Sequence, residues 1–202
     1  MNSKALIFEN VTLKYGKKIV LDKFSATFHA GKFTAIMGES GIGKTSILRL
    51  AAGLVPSKYY SGIINTGGAK ISYQFQEPRL FEWLTVVENI SLVSEARGVF
   101  LHSPELVRKS LDMLELFGLA DIANEHPSTL SGGMAQRVAL ARTLAYDSEL
   151  VLLDEPFRGL DESTKYDVMG KVRSALEGKT VILVTHDVRE AEFFAGDNIF
   201  TL

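Results

Sequence analysis

The chain has 202 residues, enough for one domain with a sizeable core and a small inserted subdomain. Its 46% hydrophobic and 23% charged residues are ordinary for a globular protein, and a formal net charge of -2 without any Lys/Arg block gives no footing for nucleic acid. The lack of cysteine excludes disulfides and thiolate metal sites and suits a cytoplasmic protein; no apolar run approaches the ~18 residues of a membrane span, and Met1 to Asn10 lacks a signal-peptide layout.

Ala5 to Tyr15 and Ile19 to Phe28 read as extended segments around a turn at Gly16, an antiparallel element ahead of the main sheet. The segment between Gly62 and Gln76 is short, so this antiparallel part is expected to be trimmed. Phe33 to Met37 is the first of three short apolar runs, followed by Leu150 to Leu153 and Val181 to Val184. Each ends at once in polar or glycine residues, the pattern of strands buried on both faces of a parallel sheet. Thr45 to Leu54 places Ile47, Leu48, Ala51 and Leu54 on one helical face, with Gly53 and Pro56 as stop signals. Pro104 to Leu119 carries Leu106, Val107, Leu111, Leu114 and Leu116 between charges and predicts an amphipathic helix with Gly118 near its end. The expected fold is α/β, with a mostly helical insertion over about 79–133 in one domain spanning 1–202.

Gly38-Glu39-Ser40-Gly41-Ile42-Gly43-Lys44-Thr45 matches the phosphate-loop pattern, and Ser46 follows it. The predicted strand before it and helix after it are the context the pattern needs. Glycines let backbone N–H groups turn toward phosphate oxygens, and the helix start adds a positive dipole. Lys44 can reach the β- and γ-phosphates, and the Thr45 hydroxyl can bind Mg²⁺. Downstream, Leu150-Val151-Leu152-Leu153-Asp154-Glu155-Pro156 is an apolar strand ending in two acids. Asp154 suits a second Mg²⁺ ligand, and Glu155 can orient and deprotonate a water attacking the γ-phosphate.

Leu130-Ser131-Gly132-Gly133-Met134-Ala135-Gln136-Arg137-Val138-Ala139-Leu140-Ala141-Arg142 resembles the signature string of the ABC ATPases and the helix after it. The resemblance covers nearly the whole chain. It implies that Tyr15 stacks on adenine, that Gln76 is the Q-loop glutamine serving both Mg²⁺ and catalysis, and that Asp161 is the D-loop aspartate beside the nucleotide. His186 takes the place of the switch histidine. Ser131, Gly132 and Gly133 precede a helix, so their N–H groups and hydroxyl can form a further anion site. The family arrangement is a head-to-tail dimer, with a second copy or a homologous ATPase subunit. Each ATP then lies between the phosphate loop of one subunit and the signature loop of the other. His29, His102 and His126 have no partner pattern and are expected to be surface or structural.

Departures from the family pattern are few. Met134 stands where many relatives have Gln, and Arg158-Gly159 precede Leu160-Asp161 where two small residues are usual. The end at Leu202 is expected to leave no room for the regulatory C-terminal domain of some import ATPases. Phe75 to Ile90 looks most like importer ATPases of the nitrate, sulfonate and taurine group. There the resemblance implies a groove for a coupling helix of the permease, with Phe81, Trp83 and Leu84 as apolar lining. The expectation is an Mg²⁺-dependent ATPase at the cytoplasmic face of the membrane, partnered by transmembrane permease subunits and a solute-binding protein. A stand-alone ABC ATPase with a non-transport role is the alternative. Its usual marks, a paired second unit, a coiled-coil insert or an Fe–S domain, do not occur in the sequence.

Overall fold

Strand β1 (Leu6–Tyr15) turns at Gly16 into β2 (Lys18–Phe28), and β4 (Tyr60–Asn65) pairs antiparallel on the other edge of β1, giving the order β2-β1-β4. Alternation along β1 buries Leu6 and Phe8, slips at the exposed pair Glu9–Asn10, and resumes with Val11 and Leu13. The slip is a bulge with Asn10 at φ 49°, which keeps both halves of the apolar set on the core face. Opposite it the chain needs glycine: a Cβ on Gly62 would lie 2.5 Å from the Asn10 carbonyl oxygen.

The computed structural model describes residues 6–95 and 104–202. The chain divides into two compact units. The first runs through Tyr73 and takes up Ser148–Glu155 and Glu177–Leu202; the second takes Gln74–Asp147 and Pro156–Leu176.

The first unit is organised by a five-stranded sheet. Its strands are β3 (Phe33–Met37), β5 (Ile71–Gln74), β6 (Leu150–Asp154), β7 (Thr180–Val184) and β8 (Ile199–Thr201), in the order β5-β6-β7-β3-β8. β3 pairs parallel with β7 and β8, and β6 pairs parallel with β7. Every residue of β6 and β7 is buried, the reason these strands read as unbroken apolar runs. Helix α1 (Lys44–Ala51) lays Ile47, Leu48 and Ala51 into a core that also takes Leu6, Phe8 and Val11 from β1, and Leu152 and Ile182 from the parallel sheet. β5 was not foreseen because its buried positions are polar: Ser72 meets Ser148 (2.8 Å), and Gln74 is the first residue of the second unit.

The second unit holds α2 (Val86–Ser91), α3 (Pro104–Leu116), α4 (Gly132–Ala145) and α5 (Glu162–Ala175). Thr85 and Glu88 form a reciprocal capping box at α2. Asn89, fully buried, accepts from Phe81 N–H and donates to the carbonyls of Phe81, Leu84 and Thr85, fixing the turn ahead of the helix. α4 has buried residues on nearly all sides, as suits a helix central to its unit. The remaining helix, α6 (Val188–Ala195), belongs to the first unit. His29 and His126 are exposed, and His102 lies outside the described residues.

Candidate nucleotide site

The parallel register aligns three strand ends of the first unit. Asp154 and Ile36 both sit opposite Val184, so the chain leaves β3, β6 and β7 at one edge of the sheet. Glu155 N–H donates to the Val184 carbonyl and Thr185 N–H to that of Ile36. Gly38–Ser46, Asp154–Glu155 and Thr185–His186 are therefore neighbours by backbone geometry. This is the carboxyl edge of the strands, where open α/β sheets bind ligands.

The loop Gly38–Gly43 crosses this edge with φ of 147°, 81° and 121° at Gly38, Gly41 and Gly43. Glu39, Ser40, Gly41 and Ile42 are exposed at its crown. Gly43 caps α1 and packs tightly: a Cβ there would meet Leu21 Cδ2 at 3.0 Å and the Val20 carbonyl at 3.3 Å. Lys44, nearly buried, donates from Nζ to the carbonyls of Gly38 and Glu39, both at 2.8 Å. Ser46 is partly buried one residue after Thr45. Val20 and Leu21 of β2 thus lie against the phosphate loop, and the same hairpin carries Tyr15. Tyr15 is 44% exposed, and its ring lies against that of Tyr59, tilted, at 5.2 Å between centroids.

Below the loop, Thr45 Oγ1 donates to Asp154 Oδ1 and the Tyr73 hydroxyl to Oδ2, each at 3.1 Å. Burial raises the Asp154 carboxyl above the usual carboxylate range, against the pull of the Thr45 and Tyr73 hydrogen bonds. Burial and the neighbouring carboxylate push the Tyr73 phenol well above its ordinary value, so it remains a donor. Glu155 takes a left-handed backbone, φ 45°, uncommon for a residue with a side chain. His186 Nδ1 stands 3.5 Å from its Oε1, with the imidazole largely exposed. The histidine's loop is pinned from both sides: Thr185 Oγ1 donates to buried Glu190 at 2.5 Å and accepts from Asp187 N–H at 3.1 Å. Tyr73, Thr185 and Glu190 were not anticipated.

The other candidate residues lie in the second unit. Ser131 caps α4, its Oγ accepting from Met134 N–H at 3.2 Å. A Cβ on Gly132 would meet nothing within 4 Å, whereas one on Gly133 would lie 3.5 Å from both the Gly159 carbonyl and Leu160. The signature loop thus adjoins the loop leading to Asp161. Asp161 caps α5, accepting from Ser163 Oγ at 2.7 Å and Thr164 N–H at 3.0 Å, and these bonds hold its carboxyl well below the usual range. Gln76, partly buried, comes after β5 in a loop secured to α4: Arg142 donates to the carbonyls of Pro78 and Arg79, at 2.8 and 3.0 Å. Thr143 of α4 donates to Gln74 at 2.8 Å. Trp83 is 73% exposed with its ring 5.1 Å from that of the partly buried Phe81; Leu84 is partly buried.

Comparison with known proteins gives consistent likenesses. The family profile described as ABC transporter matches residues 21–158. The aliphatic sulfonates import ATP-binding protein SsuB of Yersinia pestis is 40% identical over 195 residues, covering 92% of this chain and 68% of its own. A protein of the same name from Paracoccus denitrificans, SsuB 1, is 37% identical over 202 residues, covering 99% of this chain and 80% of its own. Among solved structures, the dimeric bacterial ABC transporter cassette MJ0796 matches with a TM-score of 0.83 and 32% identity over 94% of this chain and 91% of its own. A dimeric post-hydrolysis state of that cassette, bound to ADP and Pi, matches with a TM-score of 0.82 and 31% identity over 96% of each chain.

Proposed function

The chain belongs to the ABC transporter family, and from that premise we propose that it is the ATP-binding and ATP-hydrolysing subunit powering an importer of the sulfonate group. The observation that carries the reading is the shared edge of β3, β6 and β7, which gathers Lys44, Thr45, Asp154, Glu155 and His186 at one place. We read residues 1–202 as one ABC ATPase domain with its helical subdomain at about 79–133.

In this reading the loop N–H groups of Gly38–Ser46 and the Lys44 ammonium hold the phosphates, Lys44 exchanging its bonds to Gly38 and Glu39 for phosphate oxygens. Tyr15 supports the adenine. Among the described residues no group of three His, Cys, Asp or Glu stands ready to hold a metal alone. That fits Mg²⁺, which takes one or two carboxylates and completes its shell with phosphate and water. Thr45 Oγ1 and Asp154 would hold it, with Gln76 named as a further ligand by the family resemblance alone, and Mg²⁺ when bound neutralises charge on the transferring phosphoryl group. Glu155 orients a water and takes its proton as the water oxygen bonds to the γ-phosphorus and the bond to the bridging oxygen breaks. His186, beside Glu155, steadies that water and the γ-phosphate.

Ser131, Gly132, Gly133 and Asp161 serve the nucleotide of a partner ATPase subunit, a second copy or a homologue. The dimeric state named for the MJ0796 cassette supports such a pairing. Among the described residues no helix is long and apolar enough to cross a membrane, so transport would require permease subunits, docked near Phe81, Trp83 and Leu84 at the cytoplasmic face. A solute-binding protein would deliver the cargo. A stand-alone role outside transport is not favoured, since the named relatives are import proteins.

Glu155→Gln tests the assignment. Turnover should fall roughly 10²–10⁴-fold, and the variant should run as a dimer on size exclusion with Mg-ATP and as a monomer with ADP. Wild-type turnover by this variant would overturn the role given to Glu155.

A further inference from the structure

Asp154 is only 2% exposed, so water cannot readily replace a hydrogen bond it loses. Both of its oxygens are engaged, Oδ1 by Thr45 and Oδ2 by Tyr73. The two donors differ in what else they would do. Thr45 is itself a candidate metal ligand, and its hydroxyl, with two lone pairs besides its proton, can face a cation while still donating to Asp154 Oδ1. The Tyr73 phenol comes from β5, next in the sheet to β6, and is not itself a candidate metal ligand; Arg49 of α1 also interacts with it and with Asp154. Its bond holds Oδ2 while Oδ1 faces Thr45.

We propose that Tyr73 is a positioning residue for the metal site: its hydroxyl anchors Asp154 Oδ2 so that Oδ1 is presented beside Thr45 to the cation. The inference rests on the assignment of Asp154 and Thr45 to Mg²⁺ made above. Partners that orient a metal-binding carboxylate carry much of the affinity, and their loss typically weakens metal binding about 10–100-fold.

The test is Tyr73→Phe, which removes one oxygen and keeps the ring in its place. Binding of a fluorescent ATP analogue would be titrated without metal, in EDTA, and again over a Mg²⁺ series, with Asp154→Asn alongside. Tyr73→Phe should leave metal-free nucleotide affinity within about twofold of wild type and raise half-saturating Mg²⁺ about tenfold. Steady-state hydrolysis should shift its Mg²⁺ dependence by the same factor, and excess Mg²⁺ should restore kcat. If Asp154→Asn displaces the Mg²⁺ curve and Tyr73→Phe does not, the positioning role is wrong. If Asp154→Asn itself leaves the curve unmoved, the metal-site assignment beneath it fails. A Tyr73→Phe protein whose metal-free affinity collapses along with its Mg²⁺ response would also overturn the proposal, since the tyrosine would then support the fold and not the carboxylate.

Discussion

The Lys44 ammonium is held by two carbonyls of its own loop, those of Gly38 and Glu39, at 2.8 Å. A nearly buried cation must keep such partners, so if Lys44 holds the phosphates as proposed, nucleotide binding would exchange one set of acceptors for another and strand no charge. Lys44→Ala should therefore cost nucleotide affinity about 10–100-fold, the equivalent of one charged hydrogen bond at about 1.5–3 kcal/mol. Calorimetric titration with ATP would show it, and an affinity within a few-fold of wild type would count against the site. Lys44, Thr45, Asp154 and Glu155 were legible because each lies in a contiguous pattern whose chemistry dictates the residue types. Tyr73 was not: it reaches Asp154 across 81 positions of sequence, and a tyrosine in a short polar-tinged strand carries no local mark of that partner. Nor does any residue near Glu155 announce its left-handed backbone, a conformation of the kind that costs about 1–3 kcal/mol and is kept where the surroundings enforce it.

At the scale of elements, the strands that carry the site are those most easily read. β3, β6 and β7 are buried on both faces, and burial on both faces leaves an apolar run that polar alternation does not interrupt. Legibility fades where that condition lapses. β5 buries Ser72 and Gln74, and β8 is three residues long, too short for a period to register. α5 is capped at its start, where Asp161 accepts from Ser163 and Thr164. Those bonds favour the ionised carboxyl, so its pKa is lower folded than unfolded. The stabilisation is complete above the unfolded carboxylate's pKa and is lost as pH falls through the folded one. Asp161→Ala should lower the melting temperature near neutral pH, and the gap to wild type should narrow from about pH 4 downward. Melts followed by circular dichroism across that range would check it. A deficit that stayed constant into acid would mean the cap's charge contributes nothing.

Among the described residues, two candidate phosphate-binding loops stand at helix starts, one in each unit. Gly38–Thr45 has the lysine; Ser131–Gly133 has none and presents an open position at Gly132. If the second loop serves a partner's nucleotide, Ser131→Arg should leave ATP affinity of the isolated chain nearly unchanged while abolishing hydrolysis. A collapse of monomer affinity would refute the shared arrangement. A polypeptide arranged in that way would be both lender and borrower, and two differently crippled versions of it would not be equivalent. A Lys44→Ala copy can still lend its Ser131 loop, and a Ser131→Arg copy can still borrow one. Neither should work with its own kind, yet mixed together they should regain activity through genetic-style complementation, because the hybrid pair contains one undamaged site.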